Sequence, residues 1–206
     1  PMSSTVEIHD DLFTEDEYSL DYLYRFFKQC NSNWQFDFIP KEEVEGNTRT
    51  LAYKQHVRTL ISQVMPHVDI DHSKVKGYEV WINSMPKDSK GLEYHYDCDE
   101  GQDELVTPLK SIVIYLGPKA GMTGGSLALD IEGRHKKKEF NSIYGVAQDL
   151  EQGWIQVPFL YGRATIFDPK IPHAVLPIKR IDPWESRITI TIAVWDKDPS
   201  IIRASR

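Results

Sequence analysis

The chain has 206 residues, a formal net charge of -7, 40% hydrophobic and 27% charged residues, and two cysteines, Cys30 and Cys98. This is the balance of one soluble globular domain, with too little cysteine for a disulfide scaffold and no apolar run of about 18 residues that could span a bilayer. The net negative charge argues against general affinity for nucleic-acid backbones, which is driven by Lys and Arg.

In chain order, Pro1 before Met2 is expected to be a remnant of a cleaved tag. No secretory signal is evident, so a reducing cytoplasm is the expected location. Thr14 and Glu17 have capping-box spacing, and Leu20, Leu23, Phe26, Phe27 and Cys30 recur at helical intervals after Phe13, predicting a helix over about 14–30. Leu51, Val57, Leu60, Ile61 and Val64 predict a second helix over about 50–64, ended by Pro66. From Lys76 the pattern changes to short β-rich runs: 78–83, 92–97, 110–116, 126–131, 155–159, 164–167, 173–177 and 187–195. So many strands in about 120 residues predict a closed or double-sheet architecture such as a jelly roll. The segment 132–154, with Arg134, His135, Lys136, Lys137 and Lys138 in a row, resists assignment and is expected to be a solvated loop or a lid. The whole reads as one domain over 2–206, with a helical N-terminal part to about 75 and a β core over about 76–197.

Chemistry concentrates first in Glu93-Tyr94-His95-Tyr96-Asp97. In a strand, residues i and i+2 point to one side, so His95 and Asp97 can chelate one metal. Such a triplet is common by chance. His173, in Ile171-Pro172-His173-Ala174-Val175, completes a set of two histidines and one carboxylate, which leaves three adjacent positions of an octahedron open. That donor set suits non-haem Fe(II) and activation of dioxygen. Further on, Arg187-Ile188-Thr189-Ile190-Thr191-Ile192 alternates strongly. If the Arg187 face is inward, its guanidinium suits the distal carboxylate of a five-carbon diacid, with the Thr189 hydroxyl as a further donor. If the isoleucines are inward, Arg187 is in solvent. The alternation alone leaves both open.

Taken together, the ordered peptides resemble the 2-oxoglutarate/Fe(II) oxygenase superfamily, in particular its prolyl-hydroxylase-like branch. They are Gly91 leading into His95-x-Asp97, Ile114-Tyr115-Leu116, Gly124-Gly125-Ser126-Leu127, Pro158, Gly162-Arg163-Ala164 before Ile166-Phe167, His173-Ala174-Val175-Leu176-Pro177, and Arg187-x-Thr189. The resemblance covers about 78–195. It implies an α+β, mostly β fold, a double-stranded β-helix flanked by N-terminal helices. It also implies iron held by His95, Asp97 and His173, and a 2-oxoglutarate carboxylate met by Arg187, Thr189 and Tyr115. The implied reaction converts 2-oxoglutarate and dioxygen to succinate and carbon dioxide while hydroxylating a substrate, and allows ascorbate as an additional reductant. Gly124 and Gly125 are expected to serve the backbone alone, and Tyr115 has a core-aromatic alternative.

Arg187 follows His173 by more positions than is common in the family, so Lys179 and Arg180 are rival carboxylate binders. The acidic run Asp99, Glu100, Asp103 and Glu104 invites a cationic substrate or is simply a solvated loop, and Asn83 and Met85 are placed to meet cosubstrate or substrate. The substrate implied is a prolyl or other residue of a peptide or protein, or a free amino acid or similar small molecule. The competing reading is a cupin-like metal-binding β-barrel without 2-oxoglutarate chemistry. Oligomeric state is not legible.

Overall fold

The computed structural model describes residues 6–30, 36–46, 50–99, 103–131 and 154–200; the expected loop or lid at 132–154 lies, except for Trp154, outside the described residues. In chain order the elements are β1 (Val6–His9), α1 (Glu17–Gln29), β2 (Phe36–Pro40), α2 (Lys41–Glu45), α3 (Ala52–Val64), β3 (Gly77–Pro86), β4 (Leu92–His95), β5 (Lys110–Gly117) and β6 (Thr123–Gly124). They continue with β7 (Leu127–Asp130), β8 (Trp154–Val157), β9 (Ala164–Phe167), β10 (His173–Val175), β11 (Ile178–Arg180) and β12 (Ser186–Trp195). No helix among the described residues is long and apolar enough to cross a membrane.

An antiparallel six-stranded sheet in the order β1-β9-β5-β12-β3-β2 stands against a four-stranded sheet, β4-β10-β7-β8, with β11-β6 as a small third ladder. This is the expected jelly roll with helices on one side. Leu20, Leu23 and Phe27 of α1 and Val57, Leu60, Ile61 and Val64 of α3 are all buried in one cluster. That cluster also holds Ile112, Ile114, Ile188, Ile190 and Ile192 from the large sheet. A second cluster, with Met85, Val113, Tyr115 and Phe167 from the large sheet and Leu127, Leu129, Val157 and Val175 from the small one, fills the space between the sheets.

The open question on β12 is thereby settled. Its isoleucines face the helices, and Arg187, Thr189 and Thr191 face the other sheet, buried at 1%, 2% and 8% exposure. Both faces of a central strand covered on each side are interior, so alternation marks two faces without saying which meets the helices.

Several local expectations need correction. The capping box does not form: α1 begins at Glu17, and Asp16 at the cap position makes no side-chain cap bond. Instead the Thr14 hydroxyl donates to the Asp11 carbonyl at 3.2 Å, a bond local to the preceding turn. Leu51, expected on the buried side of the second helix, precedes it and is 63% exposed. The N-terminal part is not purely helical, because β1 pairs with β9 and β2 with β3 as the two edges of the large sheet. Such short edge segments take their conformation from the strand they pair with more than from their own pattern. Between His173 and Arg187 the chain forms β11, which pairs with Gly124 at close quarters: a Cβ on Gly124 would stand 2.6 Å from both the Pro177 carbonyl oxygen and the Lys179 nitrogen.

Gly91 governs how the two metal-motif strands meet. Its φ is +88°, and a Cβ there would lie 1.9 Å from the carbonyl oxygen of Val175 on β10. Left-handed backbone and a backbone clash act together, so Gly91→Ala should lose more than about 2 kcal/mol of stability, read as a fall in denaturation midpoint. An unchanged midpoint would show that β4 and β10 separate freely here.

Candidate functional site

β4 and β10 are antiparallel neighbours, and their register sets His173 directly opposite His95. The two rings lie 4.3 Å apart between centroids. Each ring is oriented by its own backbone: His95 Nδ1 is 2.6 Å from the Glu93 carbonyl and His173 Nδ1 is 3.1 Å from the Ile171 carbonyl. A carbonyl only accepts, so Nδ1 carries the proton in both and each Nε2 keeps a lone pair. Both Nε2 atoms face Asp97, whose Oδ1 is 3.8 Å from His95 and 3.5 Å from His173.

These separations are long for direct hydrogen bonds and leave room for a shared cation. All three ligand atoms lie within 4.8 Å of one another, and no other group of three His, Cys, Asp or Glu donors so placed occurs among the described residues. Asp97 Oδ2 is buried and meets the hydrogen-bond geometry with no partner among the described residues. Two neutral imidazoles and a carboxylate fit a divalent first-row metal, with Nδ1 tied to carbonyls as metal-binding histidines usually are. The strand expected to run to Asp97 ends at His95, so the carboxylate is delivered by chain leaving the sheet and not by strand alternation.

Electrostatics keep the cluster poised. Burial alone would raise the Asp97 carboxyl, but His173, then His95, hold it down at about 2. Burial pushes the His173 imidazole down, yet Asp97 beside it outweighs that and leaves it raised. The cluster is open on one side, since the His95 side chain is 35% exposed while those of His173 and Asp97 are 5% and 3% exposed. Phe167 sets its ring edge-on to His173 at 4.9 Å and walls the buried side.

The second centre is Arg187. Its Nε donates to the Gly125 carbonyl at 2.9 Å, Nη1 lies 3.9 Å from Met85 Sδ, and the guanidinium is 5.6 Å and 5.5 Å from the Tyr115 and Phe159 ring centroids. It makes no ion pair with any described carboxylate. Burial lowers it to about 10, so it remains a cation at neutral pH. An interior cation without an anion costs several kcal/mol. Lys179 and Arg180, the other two candidates, are exposed.

Tyr115 is fully buried, is paired with Thr189 across β5 and β12, and has the Thr165 hydroxyl beside its own. Burial raises its pKa, so it stays a donor. Asn83 pairs with Thr189 and Met85 with Arg187, so both share this face. The acidic run is broken up: Asp99 is buried and accepts from the Ser200 N–H at 3.0 Å and from its hydroxyl, whereas Asp103 and Glu104 are exposed. Glu100 lies outside the described residues, as does the basic run of 134–138.

Sequence reasoning missed Gly125 and Phe159. Gly125 does more than turn the chain, because its carbonyl holds Arg187, and a Cβ on it would stand 2.8 Å from Arg187 Cδ. The glycine pair was the available signal, but nothing in it names the side chain it accommodates.

No protein-family model and no curated protein matches the sequence. Solved structures do match. A prolyl-4-hydroxylase from Pseudomonas putida aligns with a TM-score of 0.59 at 14% identity, over 95% of each chain. A prolyl hydroxylase from Trichoplax adhaerens, in complex with a hypoxia inducible factor oxygen degradation domain peptide, gives 0.54 at 15% identity, over 97% of this chain and 87% of that one. HygX from Streptomyces hygroscopicus, with nickel and 2-oxoglutarate bound, gives 0.55 at 11% identity, over 94% and 82%. The chain therefore has the double-stranded β-helix fold of these oxygenases.

Metal and protons compete for the same Nε2 lone pairs. Affinity for Ni(II) or Fe(II) should hold above the raised His173 pKa and fall as pH drops through it, while Asp97 stays charged down to about 2. Titration of metal binding against pH checks this, and a midpoint in the carboxylate range would contradict it.

Proposed function

We propose that the chain is an Fe(II)- and 2-oxoglutarate-dependent oxygenase that hydroxylates a prolyl or other residue of a peptide or protein, or a free amino acid. The observation that carries the reading is the pairing of two complementary centres in one fold: a three-donor cluster, and a buried arginine that lacks an anion among the described residues. A metal chelator with a carboxylate at its far end answers both needs at once.

In this reading His95, Asp97 and His173 hold the iron, and Arg187, Thr189 and Tyr115 hold the distal carboxylate of 2-oxoglutarate. Bound there, the two supply oxidative decarboxylation to succinate and carbon dioxide, coupled to transfer of one oxygen atom of dioxygen to a substrate C–H bond. The chain's contribution is geometric. Carbonyls of Glu93 and Ile171 lock the ring tautomers, Asp97 brings the one negative charge, and Phe167, Val113 and Met85 keep the inner wall apolar. No residue has to act as acid or base. The exposed edge of His95 is the side from which substrate reaches the site.

A peptide substrate is supported by the Trichoplax adhaerens neighbour, whose structure holds a peptide. Ascorbate has no support in the geometry and stays an expectation from the resemblance.

Succinate release with amino acids and Pro-, Lys- or Asn-containing peptides, scored with the mass gain of one oxygen atom, tests the activity. Arg187→Met should weaken 2-oxoglutarate binding at least about a hundredfold, because a charge-assisted contact is removed and the acid's carboxylate is buried unpaired. His173→Ala should abolish tight iron binding. Intact iron affinity in His173→Ala, or metal-loaded protein that neither binds 2-oxoglutarate nor releases succinate, would defeat the reading in favour of a metal-binding module.

A further inference from the structure

One buried hydroxyl lies at the donor cluster, at the other end of β5 from Tyr115. Ser111 is fully buried there, next to Ile112, which faces the helices, and two residues before Val113, which faces the other sheet. Alternation therefore turns its side chain to the space between the sheets. Across the ladder its partners are Ala193 on β12 and Phe167 on β9. Phe167 is the residue whose ring stands edge-on to His173, so this row of the large sheet lies against the donor cluster. Of the three side chains in the row only Ser111 can donate a hydrogen bond.

Asp97 is the metal donor that no strand fixes, because β4 ends at His95. Its Oδ1 faces the Nε2 atoms of both histidines. Its Oδ2 is buried and has no partner in full hydrogen-bond geometry among the described residues, and the same holds for Ser111 Oγ. The two groups are neighbours: burial raises the Asp97 carboxyl, His173 and then His95 lower it, and the Ser111 hydroxyl beside it lowers it further. A buried acceptor and a buried donor this close cost least when they take each other.

Given the reading of His95, Asp97 and His173 as metal ligands, on which this rests, we infer that Ser111 is a positioning residue: its hydroxyl donates to the Asp97 carboxylate oxygen that the metal does not use, and so holds the other oxygen toward the two imidazoles. A carboxylate carried on irregular chain is free to rotate about its own side-chain bonds. Anchoring one oxygen to the large sheet removes that freedom, so the ligand set is arranged before a metal arrives. The histidines stand on the small sheet and Ser111 on the large one, so the ligand set is fastened across the space between them.

The test uses the full chain without its metal and measures the dissociation constant for Ni(II) by competition with a chelator of known affinity, together with the denaturation midpoint of each metal-free protein. Ser111→Ala should weaken Ni(II) binding about tenfold or more, as loss of a partner behind a metal ligand does, and Ser111→Thr, which keeps the hydroxyl, should recover most of that loss. Unchanged affinity in Ser111→Ala would overturn the inference. So would a Ser111→Thr protein that keeps its denaturation midpoint yet binds Ni(II) no better than Ser111→Ala, because the hydroxyl would then not be what matters. If the unaltered protein does not bind Ni(II), the ligand assignment itself fails and takes this inference with it.

Discussion

The burial of β12 on both faces is the constraint on which the rest depends. It is paired along its whole length with β3 and over Ile188–Val194 with β5, with one side among the helices and the other toward the second sheet. Its three isoleucines contribute roughly 5–9 kcal/mol through the first contact. That gain offsets what the second face costs, where an arginine and two threonines are carried into the interior. A chain that folds around such a strand keeps a cation inside whether or not an anion is present, and so is preorganised for one.

The metal-donor cluster has a different origin. It is a product of strand pairing, because the register of β4 on β10 sets two histidines face to face, and each is steered by a carbonyl two residues before it in its own chain. The glycine that lets these strands approach, Gly91, lies outside the donor set yet decides its spacing. Asp97 then enters from chain that has left the sheet. Its charge raises the His173 imidazole against the effect of burial.

Between the two centres the interior is unevenly wetted by polar atoms. Apolar side chains of both sheets make the walls, while the hydroxyls of Tyr115 and Thr165 stand beside each other on the inner face of the large sheet. Polar groups in a packed core are costly unless they find partners.

The sequence by itself determined the elements with strong period: α1 and α3, and eight strands whose limits lie within a few residues of those seen. It also named His95, Asp97, His173 and Arg187 as chemistry, since few residue types ligate metals or clasp carboxylates. Only the tertiary structure decided which face of β12 met the helices, because alternation is symmetric between two buried sides. Only it showed Arg187 buried and Lys179 and Arg180 exposed, a difference that no local pattern encodes. The edge strands β1 and β2 and the Gly125 carbonyl under Arg187 were decided there too, because each is defined by a partner distant in the chain, and a sequence read along its length carries period and residue type but not contact.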